Sequence, residues 1–216
     1  MRTFVVSLPG SPRREATPHL GLPFEFSDGV LLPLERVEFL QAWMREHFPD
    51  LTSTDDYAAR NMLSQGSLGT LLAFVHLFQR IAEQDDPFCL VLEDDCVANP
   101  AFEFAHVDWD DLHATYGRPM FLFLHKCPYR FGLVAQLVTR EGARFVLDRV
   151  YQLLNMSIPI DLYIWQHPEI TRASVYFETH HTAWLFEHVT PVEHAATSER
   201  IRINRAYGHA GDLIRK

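Results

Sequence analysis

Cysteine is scarce in this chain, and only Cys89, Cys96 and Cys127 are present. An odd number at spacings that match no zinc pattern argues for reduced thiols and a cytoplasmic setting. Cys89, inside an apolar run, reads as core. Basic charge is also in short supply. Against 28 acidic residues stand 19 Lys and Arg, a net charge of -9. That excludes a general nucleic-acid binder, which needs a basic face, and removes any global attraction to anionic lipid. No apolar run is long enough to span a bilayer. The apolar stretch at Met1 to Pro9 is too short for a signal peptide and reads as a first strand. Repeats, low-complexity tracts and obvious linkers are missing as well. With 216 residues and 47% hydrophobic content, one domain over 1–216 is expected, ending in a basic tail at 199–216.

What the chain does have is an apolar run that ends abruptly in acid. Phe88-Cys89-Leu90-Val91-Leu92, bounded by Asp85-Asp86-Pro87, runs into Glu93-Asp94-Asp95. The apolar part reads as a buried strand of a parallel sheet. Two unit charges 4 Å apart repel by about 1 kcal/mol in water and about 4 kcal/mol at a protein-like dielectric. A divalent cation relieves that cost, and carboxylate oxygens suit magnesium or manganese. Ligands of open α/β sheets sit outside the carboxyl ends of the strands. The residues therefore predict a metal site at Glu93, Asp94 and Asp95, with a solvated acidic loop as the bland alternative.

The rest of the chain alternates strand and helix signals. Phe4 to Leu8 reads as a strand that stops at Pro9-Gly10-Ser11-Pro12, with the basic pair Arg13-Arg14 just beyond, placed to meet an anionic ligand. Phe24-Glu25-Phe26 reads as a short strand before the Ser27-Asp28-Gly29 turn. Helical spacing predicts a helix over Leu34 to Phe48 and a clearer one over Ser67 to Gln84. In the latter, Ser67 is the expected N-cap, and Leu68, Leu71, Leu72, Val75, Phe78 and Ala82 form the apolar face. His76 falls near the edge of that face and reads as structural. A surface helix is expected over Phe102 to His113, and strands over Met120 to Leu124, Leu133 to Val138 and Ala173 to Phe177. Thr139 is the expected N-cap of a helix from Arg140 to Leu154, with Gly142 allowing close packing. Pro159 breaks the chain and Asp161 caps or opens a short helix through Trp165. Glu178, His180 and His181 crowd the turn after the last strand.

Several of these pieces, in this order, resemble glycosyltransferase family 25, which holds lipooligosaccharide and lipopolysaccharide galactosyltransferases and collagen-modifying galactosyltransferases. The resemblance runs from about Phe4 to about Asp161. Val5 to Leu8 and Arg14 look like the family's opening strand and following arginine, and Phe24 to Gly29 like its second strand and Asp-Gly turn. Gly66-Ser67-Leu68-Gly69 looks like the start of its central helix. Leu90 to Asp95 matches its acidic signature, and Thr139 to Ala143 and Pro159-Ile160-Asp161 resemble two later blocks. The chain departs from the family where Thr70 replaces a cysteine, Ala73-Phe74 a Ser-His pair, and Gln136 an aromatic residue.

The resemblance implies an α/β fold of GT-A type, a mostly parallel central sheet flanked by helices that binds a nucleotide sugar. It implies a nucleotide-diphosphate sugar donor, commonly UDP-galactose, and inversion at the anomeric carbon. For many members it implies a divalent metal, Mn2+ or Mg2+, between the acidic motif and the diphosphate. The acceptor would be a cell-surface glycan such as lipooligosaccharide or lipopolysaccharide. Donor contacts carried over are Ser7, Leu8, Arg14, Asp28, Gly69 and Asp94, and metal ligands Glu93, Asp94 and Asp95. Inverting transfer needs a base for the acceptor hydroxyl; Asp161 is the candidate and Glu178 its rival. A lipid-linked acceptor would require contact with the inner face of the bacterial inner membrane, for which the tail arginines, Trp165 and Trp184 are candidates. Two other functions stay open: a sugar-nucleotide-binding member without efficient transfer, and a magnesium-dependent phosphohydrolase.

Overall fold

The computed structural model describes residues 1–14, 21–47, 65–99, 102–126, 132–150, 160–175 and 185–188. In chain order the elements are β1 (Thr3–Ser7), β2 (Glu25–Asp28), α1 (Leu34–His47), α2 (Gln65–Glu83), β3 (Phe88–Glu93) and β4 (Cys96–Ala98). They continue with α3 (Trp109–Thr115), β5 (Phe121–Phe123), β6 (His125–Lys126), β7 (Ala135–Thr139), α4 (Arg140–Leu147), α5 (Ile160–Gln166), β8 (Arg172–Ser174) and β9 (Phe186–His188).

Six strands form the central sheet in the order β2-β1-β3-β7-β5-β8. β1 pairs in parallel with β2 and β3, and β5 in parallel with β8. β7 alone runs against its neighbours β3 and β5. The mostly parallel α/β sheet expected from the sequence is therefore present, with one reversed strand that the sequence pattern did not show. Such a strand needs no hydropathy difference, because β7 is buried from Ala135 to Val138 much as β3 and β5 are along their lengths.

Alternation along β3 divides the core. Cys89 and Val91 face one apolar cluster, with Phe74, Phe78 and Ile81 of α2, Val146 of α4 and Tyr163 of α5. Phe88, Leu90 and Leu92 face the other, with Phe104, Trp109 and Phe186. Side chains of a strand point alternately to the two faces, so a continuous apolar run is what a sheet covered on both sides requires. A smaller sheet, β4-β9-β6, adjoins this one. The chain passes from β3 to β4 through a turn at Asp94 and Asp95.

Most element expectations hold, with shifts. α2 begins at Gln65, so Ser67 lies inside the first turn rather than capping it. Of the expected face, Leu68, Leu71, Phe78 and Ala82 are buried; Phe74, Leu77 and Ile81 join them, Leu72 and Val75 are half-buried, and His76 is exposed rather than structural. The expected helix over Phe102 to His113 is a 3-10 turn at Phe104–His106 followed by α3. The Asp108 carboxylate starts α3 by accepting from the Asp111 N–H at 3.0 Å. Thr139 does cap α4, its hydroxyl accepting from the Gly142 N–H at 2.9 Å. A Cβ at Gly142 would sit 2.8 Å from the Met120 carbonyl oxygen, so close packing there needs glycine.

Candidate active site

β2 lies on one side of β1 and β3 on the other. The order therefore switches direction at β1, and the region beyond the carboxyl ends of β1 and β3 is the usual ligand position in such sheets. The residues at those two ends meet. The Ser7 hydroxyl donates to Asp94 Oδ2 at 2.7 Å, and the Arg13 guanidinium donates to Asp94 Oδ1 at 3.0 Å. The same Arg13 nitrogen lies 3.5 Å from Asp95 Oδ2. One guanidinium thus bridges two adjacent carboxylates, both 7% exposed. The backbone is tied in the same place, with the Asp94 N–H donating to the Val6 carbonyl at 3.2 Å.

Arg13 and Arg14 sit together in a short 3-10 turn after β1 and do different work. Arg14 donates to the Ser7 carbonyl at 2.9 Å, pairs with Asp28 and stacks over the Phe26 ring. It joins the ends of β1 and β2. Leu8 is half-buried, and its backbone packs on Gly29, where a Cβ would come within 3.1 Å of the Leu8 nitrogen. Gly69 serves packing too. A Cβ on it would overlap the Val30 carbonyl oxygen, so α2 can approach the chain after β2 only through a glycine.

Glu93 ends β3 within reach of the charges of Asp95, Asp161 and Asp94. It continues the alternation of Cys89 and Val91 towards the α2 and α5 side, where the charge of Asp161 on α5 reaches it. Burial, reinforced by the charges of Asp95, Asp161 and Asp94, holds the Glu93 carboxyl well above the ordinary carboxylate range. Asp94 is also raised, because burial outweighs the opposing effects of Arg13 and Ser7. Burial raises Asp161 against the N–H groups of Leu162 and of Asp161 itself, which favour its anion. A carboxylate raised in this way, at a helix start facing the strand end, suits a proton acceptor.

Among the described residues no three His, Cys, Asp or Glu side chains converge as a metal would require. Of the three acids expected to hold a metal, Asp94 and Asp95 adjoin and share Arg13, while Glu93 stands at the end of β3. The pair itself has the chemistry for a hard cation. Asp94 and Asp95 offer only oxygens, they adjoin, and a positive group already lies between them. Magnesium is commonly held by one or two carboxylates with substrate phosphates completing the shell, so Asp94 and Asp95 would hold it. Glu178, the rival base, lies outside the described residues, as do His180, His181, Trp184 and the tail. Trp165 is half-buried and stacked on Phe123 with ring centres 4.3 Å apart. No helix among the described residues is long and apolar enough to cross a membrane.

Comparison with known proteins decides the family. The family model described as "Glycosyltransferase family 25 (LPS biosynthesis protein)" matches residues 1–124, more than half of the chain. The chain belongs to glycosyltransferase family 25. The matched span covers the Ser7, Arg13, Asp94 and Asp95 cluster, while Asp161 falls beyond it. Among solved structures, the chain is similar to a glycosyltransferase involved in the glycosylation of the major capsid of PBCV-1. That likeness has a TM-score of 0.50 and 13% identity, covering 93% of this chain and 98% of the other. At that identity it speaks for the fold. No curated protein sequence matches the chain.

Of the adjacent arginines, Arg13 reaches Asp94 and Asp95 while Arg14 reaches Ser7 and Asp28. Only the fold shows which of two adjacent arginines turns towards the acids.

Proposed function

We propose that this family 25 glycosyltransferase transfers a hexose, with galactose from UDP-galactose as the expected donor, to a cell-surface glycan of the lipopolysaccharide or lipooligosaccharide class, with inversion. The observation that carries the reading is the Ser7-Arg13-Asp94-Asp95 cluster at the switch point of the sheet. A nucleotide-sugar donor would lie across the ends of β1 and β3 with its diphosphate near Asp95. A divalent ion, when bound, supplies a Lewis acid for the leaving diphosphate. Asp94, fixed by Ser7 and Arg13, keeps the turn in register and offers a ribose or metal contact. Asp161 is the proposed base. Its raised pKa brings proton affinity closer to neutral pH, where a general base works best, and the N–H groups at the start of α5 hold its carboxylate in place. For inversion it would stand on the face of the sugar opposite the leaving group.

Ala73 and Phe74, which replace the family's polar pair, are 2% and 0% exposed, and Phe74 packs edge-on against Phe78. The departure fills the core, which gives the non-transferring reading no particular support. The test is calorimetric titration with a panel of UDP-sugars, with and without manganese, followed by product analysis with glycan acceptors. UDP-galactose binding and transfer are expected. Absence of binding by every nucleotide sugar would overturn the reading; binding without transfer to any acceptor would favour a binding module.

A further inference from the structure

The position of Arg13 bears on how the site takes up its cation, an inference that rests on the functional reading above. Arg13 is one residue of the three-residue turn Pro12–Arg14 that follows β1, with a side chain only 11% exposed. Its Nη1 lies 3.0 Å from Asp94 Oδ1 and 3.5 Å from Asp95 Oδ2. A divalent ion drawing on those same two oxygens would compete with the guanidinium for them. The remaining Asp94 oxygen is held by Ser7, so the pair cannot easily rotate to offer a second face. A divalent ion brought beside a guanidinium in so small a space would be repelled by it, because like charges at contact distance interact strongly away from bulk water.

We propose that Arg13 is a built-in counter-ion of the Asp94-Asp95 pair and that a divalent metal can occupy the pair only when Arg13 moves off it. Without donor, the guanidinium offsets part of the charge of the two buried acids and keeps the turn between β3 and β4 in shape. When a diphosphate arrives, it gives Arg13 an alternative anionic partner, since guanidinium pairs with phosphate as readily as with carboxylate. Release of the acids and capture of the phosphate then occur together. Metal uptake is thereby coupled to the donor: the free protein takes up the ion weakly, and the donor makes room for it.

The test measures manganese binding by electron paramagnetic resonance and calorimetry, with and without UDP, in the wild type, Arg13→Gln and Arg13→Lys. Circular dichroism and thermal melting establish that each variant is folded. Without nucleotide, Arg13→Gln should bind manganese about tenfold more tightly than the wild type, or better, because the repulsive charge is gone. Arg13→Lys, which keeps a charge but loses the fork, should fall between them. UDP should tighten manganese binding in the wild type and do so much less in Arg13→Gln. Equal or weaker manganese binding by folded Arg13→Gln overturns the proposal, as does no manganese uptake by any of the proteins. Failure of the functional reading would look different: no UDP-sugar would bind, while the nucleotide-free comparison of wild type and variants would still give its answer.

Discussion

Asp161 and Glu93 show how one functional group, the carboxyl, takes different roles through its surroundings. Both carboxyls are raised by burial. Asp161 sits in the first turn of α5, where backbone N–H groups favour its charged form, while Glu93 has three acidic neighbours and only Arg13 to offset them. Asp161 is accordingly the better proton acceptor. The variant Asp161→Asn keeps an oxygen for those N–H groups but cannot take a proton, so the fold should hold while kcat falls by about 10²–10⁴. Donor affinity should be nearly unchanged, which calorimetry with UDP-sugar checks alongside initial rates. If Asp161→Asn turns over like the wild type, the base lies elsewhere, and Glu178 becomes the next residue to replace.

A second residue-scale prediction concerns Ser7. Its hydroxyl donates to a buried carboxylate, and a hydrogen bond to a charged group contributes about 1.5–3 kcal/mol. Ser7→Ala should lower unfolding stability by that order in urea titration and weaken donor binding, because the Asp94 turn loses one of its two clamps. Unchanged stability would mean that Arg13 alone holds Asp94.

At the scale of elements, two local features can be tested separately from the site. Thr139 starts α4 through its bond to Gly142. Losing such a cap costs about 1 kcal/mol, so Thr139→Ala should shift the denaturation midpoint by that amount and Thr139→Ser should restore most of it. No loss would show that α4 is held by packing against α2 alone, a contact the structure also contains. At Gly69 two effects oppose. Alanine favours a helix interior over glycine by about 1 kcal/mol, yet its Cβ would overlap the backbone carbonyl of Val30. Backbone cannot move aside as a flexible side chain does, and forced overpacking typically costs about 1–3 kcal/mol. Gly69→Ala should therefore destabilise the protein in thermal melts, and a gain in melting temperature would refute the close approach.

The fold as a whole should carry a pH signature of its buried acids. Glu93, Asp94 and Asp161 all have folded pKa values raised above their ordinary range. Between the ordinary and the raised value, the folded state holds more protons than the unfolded one, so stability falls as pH rises through that window. The window opens at about pH 4 and extends upward to the folded value of each group. Glu93→Gln cannot ionise and should not lose this contribution. Relative to the wild type it should become progressively more stable as pH rises above about 4, measured as the difference in melting temperature across a pH series. A constant difference would show that Glu93 is not held protonated by its surroundings.

Much of the architecture was readable along the chain, because it depends on neighbours in sequence. The run Phe88 to Leu92 ending in acid marked a buried strand and its carboxyl end, Thr139 marked a helix start, and Gly142 a close approach; each of these follows from local periodicity or capping chemistry. The family resemblance carried the sheet class further, and the central sheet agrees with it. Other features depended on residues that meet only after folding. Ser7 and Arg13 reach Asp94 across 87 and 81 positions, and nothing in the string Arg13-Arg14 says which guanidinium will make that contact. The reversed direction of β7 was equally hidden, since a strand buried on both faces has the same apolar pattern whichever way it runs. The sequence by itself determined that three acids stand at the end of a strand. Tertiary structure decided that two of them share Arg13 and that the charge of Asp161 reaches Glu93, because only the packed elements decide which distant groups each side chain meets.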